Sequence, residues 1–316
     1  MHELTIPAMA AALKAGDCYT ILTHRRPDGD TVGCAIALCR GLRKLGKTAA
    51  IWENPQFTPR YLPYLSGLTT DAVQGTVVAV DVASEGLFPL GFSGRVDLCI
   101  DHHASNTRYA DGVLVEGGRA ACGEILFELL LCLGTQPDKD IADALYIAIS
   151  TDTGCFRYSN TTGGTLRTAA SLMEWGADTV TLNRILFELK TRARLLLDAY
   201  LAEHLTVYAG GKIGICILPE QERLCLGASE DDADAIAGFA RNLEGVEIGV
   251  MLRDLPGNQC KISMRTDCRR FDASKICQLL GGGGHSAAAG ATVSGTLEEG
   301  RAIILRTIAG ATGLTP

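Results

Sequence analysis

Thr23-His-Arg-Arg-Pro-Asp-Gly-Asp-Thr-Val-Gly33 lies between a short apolar run, typical of a buried strand, and a longer apolar run with helical spacing. The segment therefore predicts a loop that carries His24, Asp28 and Asp30 at the carboxyl end of a strand, where open α/β sheets bind their ligands. Gly29 has no side chain and is expected to let the backbone turn, so that both carboxylates point the same way. Imidazole and carboxylate groups together suit a divalent metal ion, although a polar turn with an aspartate helix cap has the same composition.

Two further apolar runs of the first half also end in acidic residues. They are Gly75-Thr-Val-Val-Ala-Val-Asp81 and Arg95-Val-Asp-Leu-Cys-Ile-Asp101, and the second is followed by His102 and His103. Both runs favour fully buried strands of a parallel sheet, whose carboxyl ends share one edge. Because strand and helix patterns alternate here, we predict an α/β domain with a mostly parallel sheet flanked by helices, with Val113–Val115 as an edge strand.

Helical spacing over Ile141–Ile149 gives way to a polar, glycine-containing segment at 150–160, which we predict as a turn that carries Asp152. In the second half, Gly210-Gly211 and Pro256-Gly257-Asn258 each lie between two short strand-like runs and predict hairpins. We therefore expect a smaller C-terminal α/β domain, with the active site in the cleft between the two domains. The predicted boundaries are 1–190 for the first domain, 191–204 for a connector helix and 205–316 for the second domain.

Composition limits the classes of function. The chain has 316 residues and a formal charge of −7, which argues against binding of long nucleic acid duplexes, since such proteins neutralise many phosphates. No apolar stretch is long enough to span a membrane, and the N-terminus lacks the basic head and apolar run of a signal peptide. The twelve cysteines include no Cys-x-x-Cys pair, which favours reduced thiols. We therefore expect a cytoplasmic protein.

Four ordered motifs, His24-Arg-Arg-Pro-Asp-Gly-Asp30, Asp81, Asp101-His102-His103 and Thr151-Asp-Thr-Gly154, resemble those of the DHH phosphoesterases. The second half, with Ser263-Met-Arg265 and a glycine run before His285, resembles the DHH-associated C-terminal domain. The segment after Asp152 is similar to the oligoribonuclease branch of the family, whose members often also act on adenosine 3′,5′-bisphosphate. Cys34 departs from the family, which usually has serine here. We expect a mild effect, with sensitivity to oxidation if the thiol lies near metal ions.

The resemblance implies a site for two divalent metal ions, of which Mn²⁺ is the expected one because imidazole and carboxylate ligands are mixed. One ion would be held by His24, Asp28 and Asp81. The other would be held by Asp30, Asp81, His102 and Asp152, so that Asp81 bridges the two. Asp101 would orient His102, and His103 would face the phosphate as a proton donor or a stabiliser of the leaving oxygen.

Substrate binding is expected to involve the second domain. The glycine run is open to two interpretations: a helix C-cap followed by a loop, or a backbone nest that admits a phosphate or a base. Arg157 could also contact substrate, although its neighbours Phe156 and Tyr158 could equally be core packing. The predicted substrate-binding residues are Arg265, Gly282, Gly283, Gly284, His285 and Arg157.

We therefore expect a hydrolase of short single-stranded RNA and of adenosine bisphosphate. A phosphodiesterase for cyclic or linear dinucleotides and a nucleotide-binding regulator without activity are the alternatives. A pyrophosphatase of the same superfamily would carry a different C-terminal domain, without the Gly-Gly-His stretch. Neither duplex DNA nor a membrane is an expected partner, and the sequence leaves a homodimer open.

Overall fold

A computed structural model describes residues 2–315, apart from the side chains of residues 231, 234 and 235. The chain divides into two units, of which the first ends at Leu189 and the second begins at Lys190. Among the described residues, no helix has the length and apolar character that a membrane span requires.

The first unit contains a seven-stranded sheet in which every pairing is parallel. Its strands are β1 (His2–Glu3), β2 (Cys18–Leu22), β3 (Thr48–Trp52), β4 (Thr69–Thr70), β5 (Thr76–Val80), β6 (Leu98–Asp101) and β7 (Gly112–Val115). The strand order is β1-β7-β6-β5-β2-β3-β4. This confirms the predicted α/β sheet, but β7 is not the edge strand that we expected, because β1 pairs with its outer side.

Helices flank this sheet. They are α1 (Ile6–Ala15), α2 (Gly29–Lys44), α3 (Leu62–Leu65), α4 (Cys122–Leu133), α5 (Lys139–Asp152), α6 (Gly163–Glu174) and α7 (Thr179–Asn183). A π-helical turn, Arg184–Glu188, follows α7. Helix α5 is longer than its apolar spacing indicated, so Asp152 lies in its last turn and not in a following turn.

Close packing of α2 on α5 brings two of the sequence motifs together. A Cβ atom at Gly33 would collide with the carbonyl oxygen of Ala144, and one at Gly29 would collide with the side chain of Thr151. Gly29 is the first residue of α2 and has no positive φ. Its lack of a side chain therefore serves a helix–helix approach next to Asp152, and not the backbone turn that we expected.

The second unit has a six-stranded sheet covered by helices. Its elements are α8 (Arg192–His204), β8 (Thr206–Tyr208), β9 (Ile213–Leu218), α9 (Glu220–Cys225), α10 (Glu230–Ala235), β10 (Ile248–Leu255), β11 (Gln259–Thr266), α11 (Ala273–Gln278), β12 (Gly283–His285), β13 (Ala288–Ser294) and α12 (Leu297–Thr312). The order is β12-β13-β11-β10-β9-β8, and only β9 and β10 pair in parallel. Both predicted hairpins, β8–β9 and β10–β11, are confirmed.

Helix α8 packs within the second unit. Its Leu197 and Leu201 are fully buried in one apolar cluster with Cys216 and Leu218 of β9. The structure thus groups this helix with the second unit and does not show it as a separate connector.

Candidate metal centre and active site

Six side chains converge at the carboxyl edge of the first sheet. His24 follows β2, Asp81 follows β5, and His102 follows β6, while the other three lie at helix ends. Two groups of three have ligand atoms within 4.8 Å of one another: His24, Asp28 and Asp81, and Asp30, His102 and Asp152. We call these the outer group and the inner group, and together the ligand cluster.

Asp28 combines both roles that its sequence context suggested. Its Oδ1 accepts from the backbone N–H groups of Asp30 at 3.1 Å and Thr31 at 3.2 Å, so it is the N-cap of α2. The same oxygen lies 3.4 Å from Nε2 of His24. Burial raises the pKa of Asp28, but the hydrogen bond and charge of His24, with the two backbone donors, hold that pKa below its usual value. The cap fixes the carboxylate toward His24.

Asp30 is fully buried and is held by the N-terminus of α4. Its Oδ2 accepts from the N–H of Cys122 at 2.6 Å, and its Oδ1 from the N–H of Gly123 at 3.0 Å. These donors and the helix dipole favour the carboxylate. Burial, followed by the charges of Asp152 and Asp28, nevertheless raises the pKa of Asp30 well above its ordinary value. Such a carboxylate needs further positive charge to stay ionised.

Cys34 lies one helical turn beyond Asp30, with its Sγ 3.2 Å from Oδ1 of Asp30. The thiol is fully buried, and burial raises its pKa well above the ordinary range. It therefore stays protonated and donates to Asp30, as the hydroxyl of serine would. Although the thiol lies beside the ligand cluster, full burial and a raised pKa make it a poor target for oxidation.

Asp81 lies between the two groups. Its Oδ2 is 4.0 Å from Nε2 of His24, and its Oδ1 is 3.5 Å from Nε2 of His102 and from Nδ1 of His103. The residue is 3% exposed and has φ of +58°, a left-handed conformation that strains most residues but that aspartate tolerates comparatively well. Burial, followed by the charge of Asp30, raises its pKa well above the usual value.

His102 has a tautomer that its neighbours dictate. Its Nδ1 lies 3.1 Å from the carbonyl oxygen of Arg119, which can only accept, so Nδ1 carries the hydrogen. The Nε2 of the neutral ring is then a lone pair. It lies 3.8 Å from Oδ2 of Asp30, 3.5 Å from Oδ1 of Asp81 and 3.3 Å from Oδ2 of Asp152. An acceptor thus faces three acceptors.

This arrangement fits a divalent cation. Nε2 of His102 and Oδ1 of Asp81 are both buried and have no hydrogen-bond partner. Buried polar atoms without partners are costly, and lone pairs that face one another repel. A cation between them removes both penalties and lowers the raised pKa values of the aspartates. The donor set of imidazole nitrogen and carboxylate oxygen suits first-row divalent ions.

Asp101 contacts the ring of His103 and not that of His102, so our expectation for its partner was wrong. Its Oδ1 lies 2.8 Å from Nδ1 of His103, and its Oδ2 accepts from Nδ2 of Asn106 at 2.6 Å. It reaches His102 only through that residue's backbone N–H, at 2.8 Å. The bond with Asp101 raises the pKa of His103, although burial lowers it. Nδ1 therefore holds a hydrogen, which leaves Nε2 of this partly exposed ring for chemistry.

The predicted substrate residues of the second unit lie on one hairpin and its neighbour strand. Gly281 has φ of +73° just after α11, as a helix C-cap requires. Cβ atoms at Gly282 and Gly284 would collide with the backbone of β13, and the N–H of Gly282 donates to the carbonyl of Cys277 at 2.9 Å. Gly283 has open space around it. The run is thus a C-cap that leads into a strand, and not a plain loop or a nest of free N–H groups.

His285 and Arg265 complete this region. His285 ends β12 and is exposed, whereas Arg265 is partly buried on β11, opposite Ala288 of β13. Nη1 of Arg265 donates to the carbonyl of Met264 at 2.9 Å. Both residues belong to one sheet, and their contact with substrate stays a prediction.

Arg157 lies on a strained turn directly after Asp152. Gly154, Cys155 and Phe156 have φ values of 56°, 57° and 62°. Phe156 packs against the first-unit core, whereas Arg157 and Tyr158 are exposed, and Nε of Arg157 donates to the carbonyl of Gly154 at 2.7 Å. Core packing therefore applies to Phe156 alone.

Several residues that hold the ligand cluster escaped sequence reasoning. They are Asn54, Asn106, the carbonyl of Arg119, the N–H groups of Cys122 and Gly123, and Asn160. Asparagine is common in any loop, and backbone groups leave no trace in composition, so the sequence offered no signal that separates them from turn residues.

Residues 19–149 match the family model described as DHH family, N-terminal domain, and residues 222–310 match the DHHA1 domain. The chain is 34% identical over 295 residues to the bifunctional oligoribonuclease and PAP phosphatase NrnA of Thermus thermophilus, which covers 91% of this chain and 88% of that protein. It is 25% identical over 287 residues to the protein of the same name from Bacillus subtilis, which covers 87% and 89%.

Two solved structures share the fold. An exopolyphosphatase-related protein from Bacteroides fragilis has a TM-score of 0.86 at 21% identity, over 98% of this chain and 96% of that one. RecJ from Thermus thermophilus in complex with Mn²⁺ has a TM-score of 0.53 at 17% identity, over 98% of this chain and 55% of that one. The fold and the site therefore define a phosphoesterase, a hydrolase of phosphoester bonds. Within that class the chain belongs to the DHH family, as its motifs predicted.

Proposed function

We propose that this protein is a metal-dependent phosphodiesterase that hydrolyses short oligoribonucleotides to mononucleotides, and adenosine 3′,5′-bisphosphate to AMP. The names of its relatives support this substrate class. The observation that carries the proposal is the buried, partnerless pair of Asp81 Oδ1 and His102 Nε2 at the centre of the ligand cluster. With a net charge of −7 the protein has few cations for long polyanions, so we set the preferred length at about two to five nucleotides.

We assign one ion to the outer group and one to the inner group, with Asp81 shared. The four carboxylates of the cluster balance the charge of two divalent cations. When bound, such a pair neutralises phosphoryl oxygens and activates a water molecule. Mn²⁺ is our choice because imidazole and carboxylate ligands are mixed, and a RecJ structure of the same fold was determined with Mn²⁺.

The residues beside the ligand cluster handle the proton. Asp101 fixes the Nδ1–H of His103, and Asn106 fixes Asp101. His103 carries a proton on Nε2 and delivers it to the leaving oxygen of the nucleoside. The bond with Asp101 raises the pKa of His103 and so favours this protonated state.

Recognition of the nucleoside is assigned to Arg265, Gly283, Gly284 and His285, with Arg157 as a further phosphate contact. The match to the DHHA1 domain, which covers residues 222–310, supports the first four. A guanidinium binds a phosphate through two parallel hydrogen bonds and stacks on bases, which suits both Arg265 and Arg157. We propose that a cleft between the domains forms this site.

The test is a substrate panel with the purified protein, stripped of metal and resupplied with Mn²⁺. A dinucleotide, a pentanucleotide, a thirty-nucleotide strand, adenosine bisphosphate and a cyclic dinucleotide are compared, with the Asp152→Ala variant as the control for contaminating nuclease. Fast cleavage of the dinucleotide and of adenosine bisphosphate, with a steep fall for the long strand, is expected. Preference for the cyclic dinucleotide, or equal rates on short and long strands, would overturn the proposed substrate.

A further inference from the structure

The two groups of the ligand cluster are held by different parts of the fold, and an asparagine lies at the centre of each support. Both asparagines bond backbone groups and touch no side chain of the ligand cluster among their printed contacts. Resting on the two-ion function proposed above, we infer that Asn54 and Asn160 are positioning residues, and that each sets the affinity of one metal group without affecting the other.

Asn54 supports the outer group. It is 2% exposed and follows β3, the strand next to β2. Its Nδ2 lies 3.0 Å from the carbonyl oxygen of His24 and 3.3 Å from Oγ1 of Thr23, and its Oδ1 accepts from the N–H of Gln56 at 3.0 Å. Because the amide is buried and fully used, it fixes the path of the loop that carries His24.

Thr31 ties the same loop to the strand of Asp81. Its hydroxyl accepts from the N–H of His24 at 3.3 Å and donates to the carbonyl of Val80 at 2.8 Å. One buried hydroxyl thus sets the distance between His24 and Asp81, two of the three outer ligands. It offers a second, independent way to loosen the outer group.

The inner group is held by one short segment, 119–123. Its first carbonyl, that of Arg119, sets the tautomer of His102, and its last two N–H groups bind Asp30. Asn160 joins this segment to the end of α5. Its Nδ2 donates to the carbonyl of Ala120 at 3.0 Å and to that of Asp152 at 3.1 Å. One amide, with one hydrogen for each bond, therefore connects the supports of all three inner ligands.

This division predicts a separable effect on metal binding. Residues that orient metal ligands without touching the metal typically change affinity by about ten- to a hundredfold. Asn54→Ala should weaken the outer ion by that factor and leave the inner ion unchanged, and Asn160→Ala should do the reverse. Thr31→Val, which keeps the shape and removes the hydroxyl, should act like Asn54→Ala and covers the case in which that buried variant does not fold.

Calorimetric titration of the metal-free protein with Mn²⁺ tests this without any activity assay. His24→Ala leaves the inner group, and Asp152→Ala leaves the outer group, so each asparagine variant is measured in both backgrounds. Asn183→Ala is the matched control: its amide oxygen accepts from Tyr146 and Cys155 in the same unit, and both affinities should stay as they are.

The outcomes separate this inference from the function on which it rests. Fewer than two ions on the unmodified protein would defeat the two-ion proposal whatever the asparagines do. Two ions on the unmodified protein, with each asparagine variant weakening both groups alike or neither, would overturn the division and leave the two-ion proposal standing. Thermal unfolding of each metal-free variant checks that the fold is retained.

Discussion

The ligand cluster of the first unit and the glycine hairpin of the second, residues 281–290, are built in opposite ways. In the ligand cluster, Asp30 and Asp81 are buried, and Asp30 is bonded at several points by α4. In the hairpin, the glycines make room for β13 while His285 is exposed. Chemistry on a phosphate needs charges that are held in place before the substrate arrives, whereas recognition of varied nucleosides tolerates side chains that adjust on binding. The four predictions below break or sharpen this contrast.

Asp81→Asn should have the largest effect. Asparagine keeps the shape and also tolerates the left-handed backbone of this position, so the change removes the shared charge alone. We expect a loss of roughly a thousandfold or more in kcat, with bound Mn²⁺ reduced to one ion or none. Kinetics and metal analysis measure both.

Asp17→Asn, at an exposed aspartate of the same unit, should change neither value and serves as the control. Normal turnover by Asp81→Asn in added Mn²⁺ would show that no shared carboxylate is needed and would remove the basis of the contrast.

Arg265→Ala and His285→Ala should each lower kcat/KM on a dinucleotide by roughly ten- to a hundredfold, because a charged hydrogen bond to phosphate is lost. On bis(p-nitrophenyl) phosphate, which has a good leaving group and little to position, the change should be far smaller. Lys275→Ala, an exposed cation of the same unit, is the control. Parallel losses on both substrates would place these residues in the chemical step or in the fold.

Gly33→Ala should destabilise the first unit by roughly 1–3 kcal/mol, because its methyl group meets the backbone of α5. Activity should fall as well, since α2 carries Asp30 and α5 carries Asp152. Chemical denaturation with parallel kinetics measures both effects.

Gly310→Ala in α12 has open space and should instead stabilise the protein by about 0.5–1 kcal/mol, as alanine does in a helix. If Gly33→Ala is as stable and active as the unmodified protein, contact between α2 and α5 does not set the ligand cluster.

Asp138→Ala should have the smallest effect. Its side chain caps α5 by accepting from the N–H of Ile141 at 3.0 Å, and loss of such a cap costs about 1 kcal/mol. Burial raises the pKa of Asp138, but the hydrogen bond of Lys44, followed by that of Ile141, holds it below its usual value. The charge-dependent part of the stabilisation is therefore complete above the unfolded pKa of about 3.9 and is lost as pH falls through the folded pKa.

Denaturation at several pH values measures this. The gap between Asp138→Ala and the unmodified protein should be constant from neutral pH down to about pH 5 and should narrow below pH 4. A gap that widens in acid would contradict the assignment of the cap.

Much of the fold was accessible from the sequence because its signals are local. Apolar runs such as Thr76–Val80 are buried on both faces and end in a carboxylate, so the strands and their shared edge followed from composition and order. The convergence of six imidazole and carboxylate groups followed from the same rule. The hairpins followed from turns that demand positive φ, as at Gly210 and Gly257.

Only the tertiary structure decided which atoms meet. Asp101 lies next to two histidines in sequence, and its choice of the His103 ring depends on where β6 ends and on Asn106. The packing role of Gly29 depends on Thr151, and the link from Asn160 to Ala120 spans forty residues of sequence. Periodicity and turn chemistry act between near neighbours along the chain, whereas these contacts arise from the crossing of helices and loops that are distant in sequence. The sequence by itself therefore determined which residues are at the site, and the packing determined how each one is held.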